Sequence, residues 1–238
     1  MFLLRSGLGE TRDKVISKTM LSKILFNIIA SPKFKVLNKR FKNSEEFRVL
    51  DVGCGKSAAK TKKYFRNCIY YGLDYLDRSR VREDELGVME QYYKIDLDKD
   101  GLSGLADNFF DAVIMTHTLE HIKNGLSVID GLGDKLKKKG IIYIEFPSVR
   151  SLSLPSMEGT LNFCDDPEHA RIYDIKEIAN VLLAANFKII KAGTRRDLLK
   201  SILTPLTYLY FRCIKRMPAA VALWDICGFA DYVLAEKK

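Results

Sequence analysis

The chain has 238 residues, enough for one substantial domain with an appendage. Apolar residues make up 47% and charged residues 29%, a mixture that excludes wholesale disorder. The net charge of +9 fits either an anionic partner (a nucleotide, nucleic acid, phosphorylated lipid or membrane surface) or an ordinary basic, solvated surface.

In chain order, residues 12–42 are basic with spaced apolar positions, which predicts one or two helices broken at Ser31-Pro32. From Arg48 the pattern becomes alternating. "RVLDVG" reads as a buried strand, "SAAKTKKYF" as a helix and "CIYYGLDY" as a second strand. A polar helical stretch over 78–90 leads to the strand "QYYKIDL". "FFDAVIMTHTLEHI" reads as a strand entering a helix that runs to about Lys139, followed by the strand "GIIYIEFP". "DIKEIANVLLAANF" is an amphipathic helix, "KIIKAGTRRD" a strand and "DYVLAEKK" a last strand. Strands alternating with helices predict an α/β fold: a doubly wound, Rossmann-like, mostly parallel seven-stranded sheet with an antiparallel last strand and helices on both faces. Two stretches stand outside the alternation, 148–172 and 197–229. The expected organisation is an N-terminal helical segment over 1–43 and a domain over 44–238 that carries an insertion at about 197–229.

The five cysteines, Cys54, Cys68, Cys164, Cys213 and Cys227, are widely spaced and form no CxxC or Cys/His cluster, so neither a metal site nor a disulfide framework is expected. The opening "MFLLRSGLGETRDK" has too short an apolar run for a signal peptide, and no uncharged apolar run reaches the roughly 18 residues of a membrane span. A cytoplasmic protein is the expectation.

"VLDVGCGKSAAK", residues 49–60, places an acid and two glycines where a buried strand stops. In open parallel sheets a ligand sits beyond the carboxyl ends of the strands, and glycine there lets the backbone approach it closely. The Gly-x-Gly spacing of Gly53 and Gly55 is neither a full dinucleotide fingerprint nor a Walker loop, since Ala58 stands where a third glycine would and Lys56-Ser57 comes too early. Taken alone it is as well a tight structural turn. Asp74 ends the next strand about twenty residues on, where an ionised carboxylate can accept both hydrogen bonds of a ribose diol. Asp96 closes a third strand, where it could accept from an exocyclic amine.

The motifs "VLDVGCG", "GLD", "DL", "FDAVIMTHTLEHI" and "LKKKGIIYIEFP", in this order over residues 48 to about 190, resemble the class I S-adenosylmethionine-dependent methyltransferases, particularly their small-molecule group. "DDPEHAR" is similar to a stretch in relatives that act on sugars or cell-surface glycans. The resemblance implies S-adenosylmethionine as cofactor, with the methionine portion held by Asp51 and the turn Gly53-Cys54-Gly55. It implies Asp74 and Tyr75 at the ribose, Asp96 and Leu97 at the adenine, and Thr116 and His117 at the methyl group. "LKKKG" departs from the family's usual proline-glycine turn before the fifth strand, and Lys56 follows the glycines either as an added positive charge or as a solvated side chain.

Methyl transfer to a hydroxyl requires alignment and the uptake of a proton, and histidine is the natural base. The chain has three histidines, His117, His121 and His169, all expected near the cofactor end of the sheet. His117 and His169 are the candidate catalytic bases, set against structural roles for each. His121, four residues after His117 on what would be one helical face, is either a packing residue or a substrate contact. Glu120 is as readily a packing residue as a functional one, and Arg171 pairs with an anionic acceptor or is ordinary surface charge.

The leading reading is an enzyme that methylates oxygen on a small molecule or glycan, a lipid-linked sugar included. A nucleic-acid methyltransferase would explain the charge, but no Asn-Pro-Pro-Tyr type motif follows the fourth strand. A non-catalytic S-adenosylmethionine-binding protein is the third reading. Residues 195–229 place Arg195, Arg196, Lys200, Arg212, Lys215 and Arg216 around an apolar middle interrupted by Pro205. That composition suits a peripheral membrane contact, a lid over the acceptor, or the contact of a homodimer.

Overall fold

A computed structural model describes residues 30–238. The helix expected over residues 12–29 therefore lies outside the described residues. The seven strands are β1 (Phe47–Val52), β2 (Cys68–Asp74), β3 (Gln91–Lys94), β4 (Phe110–Thr116), β5 (Leu136–Pro147), β6 (Phe187–Thr194) and β7 (Ala230–Lys237). They form one sheet in the order β3-β2-β1-β4-β5-β7-β6. β1 to β5 are mutually parallel, whereas β7 runs antiparallel to both β5 and β6. The strand order reverses between β1 and β4, which opens a crevice at their carboxyl ends.

Successive side chains of a strand point to opposite faces, and the core divides accordingly. Leu50 and Val52 of β1 join Val113, Met115, Ile142 and Ile144 in one cluster. This cluster is covered by α4 (Gly125–Lys135) and α5 (Ile175–Ala184), through Leu132 and Leu182. Val49 of β1 lies in the other, with Phe47, Tyr70 and Tyr143, beneath α1 (Pro32–Phe41) and α2 (Ala58–Tyr64). Phe34, Leu37 and Phe41 of α1 are buried in it, and Phe41 stacks on Phe47 at 4.4 Å. The last residues of the expected 1–43 segment are thus built into the core.

The polar stretch 78–90 forms a 3-10 turn, Arg78–Arg80, and the short α3 (Glu83–Leu86) rather than one helix. The helix expected directly after β4 is also corrected. His117 takes φ +53°, a 3-10 turn spans Leu119–His121, and α4 starts only at Gly125. Tyr173 sets this break: its hydroxyl donates to the Ile122 carbonyl and accepts from the Gly125 N–H at 3.0 Å. His117 and His121 therefore do not share a helical face.

Residues 197–229 form α6 (Leu198–Leu209), a π-helical turn (Tyr210–Lys215) and α7 (Ala220–Cys227). The sequence predicts that Pro205 interrupts any helix, yet it lies inside α6. It removes only one backbone donor, and the Thr204 hydroxyl keeps this turn bonded, 3.1 Å from the Lys200 carbonyl. No helix among the described residues is long and apolar enough to cross a membrane.

Candidate active site

The crevice holds a cavity of about 470 Å³ whose wall includes Gly53, Asp74, Asp96, His117 and His121. Its elements converge because each parallel strand ends at the same rim. After β1 the turn is pinned to the neighbouring strand, with the Gly53 and Cys54 N–H groups donating to the Leu73 carbonyl at 2.8 and 3.1 Å. Gly53 has φ +69°, and a Cβ there would lie 2.0 Å from Thr118 Oγ1. The backbone thus turns left-handed against the β4 rim, and only glycine permits both. Thr118 in turn donates to the Val52 carbonyl at 3.1 Å, which ties β4 to β1 across the switch point.

Asp74 is buried and lines the cavity. Its Oδ2 accepts from Gly55 N–H at 3.1 Å and its Oδ1 from Leu76 N–H at 3.3 Å. Each oxygen retains acceptor capacity toward the cavity. Tyr75, Asp96 and Leu97 also line it. Asp96 Oδ2 is engaged by Lys99 Nζ at 2.6 Å, which holds its carboxyl below the usual range, hydrogen bond first and charge after.

Several residues assigned from the sequence stand elsewhere. Asp51 projects to the α1 side of the sheet, where Tyr70 OH donates to its Oδ2 at 2.7 Å and Lys33 Nζ pairs with it at 3.2 Å. Burial pushes its carboxyl above the usual range despite Lys33 and Tyr70, and it is absent from the cavity wall. Cys54 is buried in the same cluster, its thiol pushed up to about 12, by burial first of all. Thr116 lines a second cavity of about 250 Å³, which shares His117 with the first and is bounded by Lys33, Glu145 and Arg195. Thr118, which sequence reasoning passed over, takes its place at the main cavity. Arg171 donates to Glu177 at 2.9 Å and lies 4.6 Å from the Tyr173 ring, away from the cavity wall.

His117 stands between two carboxylates, with Nε2 3.2 Å from Glu145 Oε1 and Nδ1 3.3 Å from Glu120 Oε1. Burial opposes its protonation, but the hydrogen bonds and charges of Glu120 and Glu145 outweigh it and lift the pKa to about 9. Both ring nitrogens are thus occupied by carboxylates, which favour the protonated imidazole. Glu145 is further held by Arg195 at 2.8 Å, and Arg195 reaches Asp225 of α7 at 2.8 Å. His169 is nearly buried behind the wall, its ring 5.0 Å from that of His121. Lys33, Glu145 and Arg195 are functional-site neighbours that sequence reasoning missed; the only signal was a charged residue, Glu145, inside the apolar strand "GIIYIEFP".

A glycine turn, a carboxylate at the second strand end and a cavity at the switch point define an α/β domain with a ligand site at its strand ends. The volume is in the range that encloses a small organic ligand, and Asp74 presents acceptor oxygens to it. A family model described as a methyltransferase domain matches residues 23–192, and the chain belongs to that family. The chain thus carries a methyltransferase domain.

Among curated proteins, the chain is 32% identical over 100 residues to a ubiquinone biosynthesis O-methyltransferase of Dechloromonas aromatica, covering 41% of this chain and 43% of that protein. It is 30% identical over 113 residues to an uncharacterized protein of Methanocaldococcus jannaschii, covering 46% and 44%. The alignments thus span less than half the length of these relatives. Among solved structures, a SAM-dependent methyltransferase from Archaeoglobus fulgidus superposes with a TM-score of 0.54 at 18% identity, covering 91% of this chain and 99% of that one. One from Mesorhizobium loti superposes with a TM-score of 0.59 at 13% identity, covering 88% and 100%. At such identities these show the fold.

Proposed function

We propose that this methyltransferase acts on a hydroxyl oxygen of a small acceptor, a sugar or a phenol, carried on a lipid. The observation that carries the reading is the cavity at the switch point, with Asp74 on one wall and His117, Thr118 and His121 on the other. The kinship with ubiquinone biosynthesis O-methyltransferases supports oxygen as the atom methylated. Gly53 would hold the methionine portion of the donor, Asp74 and Tyr75 the ribose, and Asp96 with Leu97 the adenine. S-adenosylmethionine, when bound, supplies an electrophilic methyl group on a sulfonium.

The chain's own contribution is alignment and exclusion of water, which can account for much of such a rate. His117 is held at the rim between Glu120 and Glu145, which favour its protonated form and suit it to positioning. Trp224 of α7 lies 4.6 Å from the His117 ring and donates to the Thr160 carbonyl at 2.8 Å. Through Trp224, α7 thus joins His117 to the 148–172 segment, the two stretches outside the α/β alternation. We take residues 44–238, with α1 packed into the same core, as one catalytic domain with 197–229 as its insertion. A cytoplasmic enzyme at a membrane surface suits α6, whose outer face exposes Leu198, Ile202 and Leu206.

The test is methyl transfer from labelled S-adenosylmethionine to a panel of phenols, glycosides, amines and RNA, with the product bond located by mass spectrometry. Transfer to oxygen of a phenol or glycoside is expected. Transfer confined to RNA or to nitrogen would overturn the reading.

A further inference from the structure

We propose that Glu120, His121 and His169 bind one divalent transition-metal ion at the edge of the donor cavity. One donor atom from each lies within 4.8 Å of the others. Ligands held about 2.0–2.2 Å from an ion are roughly 3–4 Å apart, so small side-chain movements complete the set.

Both imidazoles are oriented for the task. His121 Nδ1 lies 3.1 Å from the Glu168 carbonyl and His169 Nδ1 lies 2.6 Å from the Phe163 carbonyl. A carbonyl oxygen only accepts, so each Nδ1 carries the hydrogen and the neutral ring keeps its lone pair on Nε2. Metal-bound histidines are held in this way, by a backbone carbonyl on the other nitrogen. The Phe163 ring packs 4.6 Å from that of His169 and fixes its plane.

Glu120 supplies the second, independent observation. It is 2% exposed, and its Oε2 is buried with no hydrogen-bond partner among the described residues. A buried carboxylate oxygen without a donor is costly, and a cation is one means of satisfying it. His117 anchors the other oxygen, Oε1, at 3.3 Å. His169 Nε2 stands 4.0 Å from Oε1, too far for a hydrogen bond. The backbone of Glu120 holds the loop that brings His169 in, its carbonyl accepting from Ala170 N–H at 2.8 Å and Arg171 N–H at 3.1 Å. Asp166 Oδ2, 3.8 Å from His169 Nε2, is a further oxygen within reach.

Two imidazoles and a carboxylate select an ion such as Zn²⁺, Fe²⁺, Co²⁺ or Ni²⁺ over Mg²⁺ or Ca²⁺, which take oxygen ligands. His121 also lines the donor cavity, so an ion held by it would lie beside that cavity. On the hydroxyl-methylation reading, on which this part rests, the ion binds the acceptor oxygen and eases loss of its proton to solvent. That oxygen then forms its bond to the methyl carbon as the carbon–sulfur bond breaks, with the electron pair going to sulfur.

The test uses the untagged full chain, stripped with a chelator and titrated with Co²⁺ and with Zn²⁺. The readouts are visible absorption and calorimetry, with S-adenosylmethionine affinity measured on the same samples. One ion per chain is expected, with affinity reduced at least tenfold in His121→Ala, His169→Ala and the isosteric Glu120→Gln, while the folded His169→Ala and Glu120→Gln variants, which lie outside the cavity wall, still bind S-adenosylmethionine. A folded, cofactor-binding chain that takes up no ion, or binding unchanged in all three variants, overturns the metal site whatever is methylated. A metal-loaded chain that methylates no hydroxyl leaves the site standing and overturns the acceptor role together with the hydroxyl reading.

Discussion

Asp74 combines burial with unused acceptor capacity, since each carboxylate oxygen takes one backbone N–H and faces the cavity with the rest. Asp74→Ala should weaken S-adenosylmethionine binding by about 1–3 kcal/mol, roughly 5- to 150-fold, because a ribose diol would be buried without acceptors. Calorimetry on the folded variant measures this, and unchanged affinity would remove the ribose assignment. Gly53 is constrained from two sides, by φ +69° and by Thr118 Oγ1, which would lie 2.0 Å from any Cβ at this position. Gly53→Ala should lower the thermal midpoint through strain of about 1–3 kcal/mol and impair cofactor binding. Adding Thr118→Ala should restore only part of the loss, since it removes the contacts at 2.0 and 2.6 Å but keeps the Cβ at 2.8 Å and leaves the backbone strain. Full stability in the single variant would contradict the turn described.

α6 has a face that the rest of the described chain does not cover. Leu198, Ile202, Leu206 and Leu209 are 79%, 66%, 67% and 56% exposed and recur at intervals of three and four residues. Arg212, Lys215 and Arg216 follow in the next turns, an arrangement suited to anionic headgroups beside a buried apolar stripe. The chain should therefore sediment with vesicles containing anionic lipid at low salt. Replacing Leu198, Ile202 and Leu206 by Ser should leave it in the supernatant while its affinity for S-adenosylmethionine stays the same. Wild-type chain that remains in the supernatant at low salt would redirect this face to a second copy of the chain, which sedimentation velocity would detect.

Across the whole molecule, one charge network joins the central sheet to the insertion. Glu145 of β5 receives Arg195 and His117, and Tyr143 OH donates to it, while Arg195 grips Asp225 on α7 through two nitrogens. Burial raises the Glu145 pKa, but hydrogen bonds from His117 and Tyr143 and the charges of Arg195 and His117 overcome it and hold the carboxyl at about 2. A folded pKa depressed from 4.5 contributes stability that is present above pH 4.5 and lost as pH falls toward 2, about 3 kcal/mol in all. Glu145→Gln should thus be destabilised at neutral pH, where Arg195 and His117 lose their shared counter-charge, and the gap to wild type should narrow between pH 4.5 and 2. Denaturant unfolding across that range reads the effect, and a constant gap would show that the carboxylate is not stabilised by its neighbours.

The strands, their order of appearance and the acids at their ends were legible in the sequence because they are local: alternation marks a half-buried strand, and a glycine or carboxylate at its end needs only the next few residues to be read. Asp74 and Gly53 are legible in this way. What lies across the fold was not legible. Asp51 reads like a cofactor ligand, but the alternation of β1 turns it toward α1, where Lys33, eighteen residues away, neutralises it. His117 looks like a base until β5 brings Glu145 to one nitrogen and the turn brings Glu120 to the other. The sequence by itself determined the fold class, through periodicities that each strand carries alone, and implied the donor through its resemblance to a known methyltransferase family. Only the tertiary structure decided which charges meet, which histidine sits between two carboxylates and which carboxylate oxygens are left without a donor, because those depend on distances between segments that the chain order does not contain.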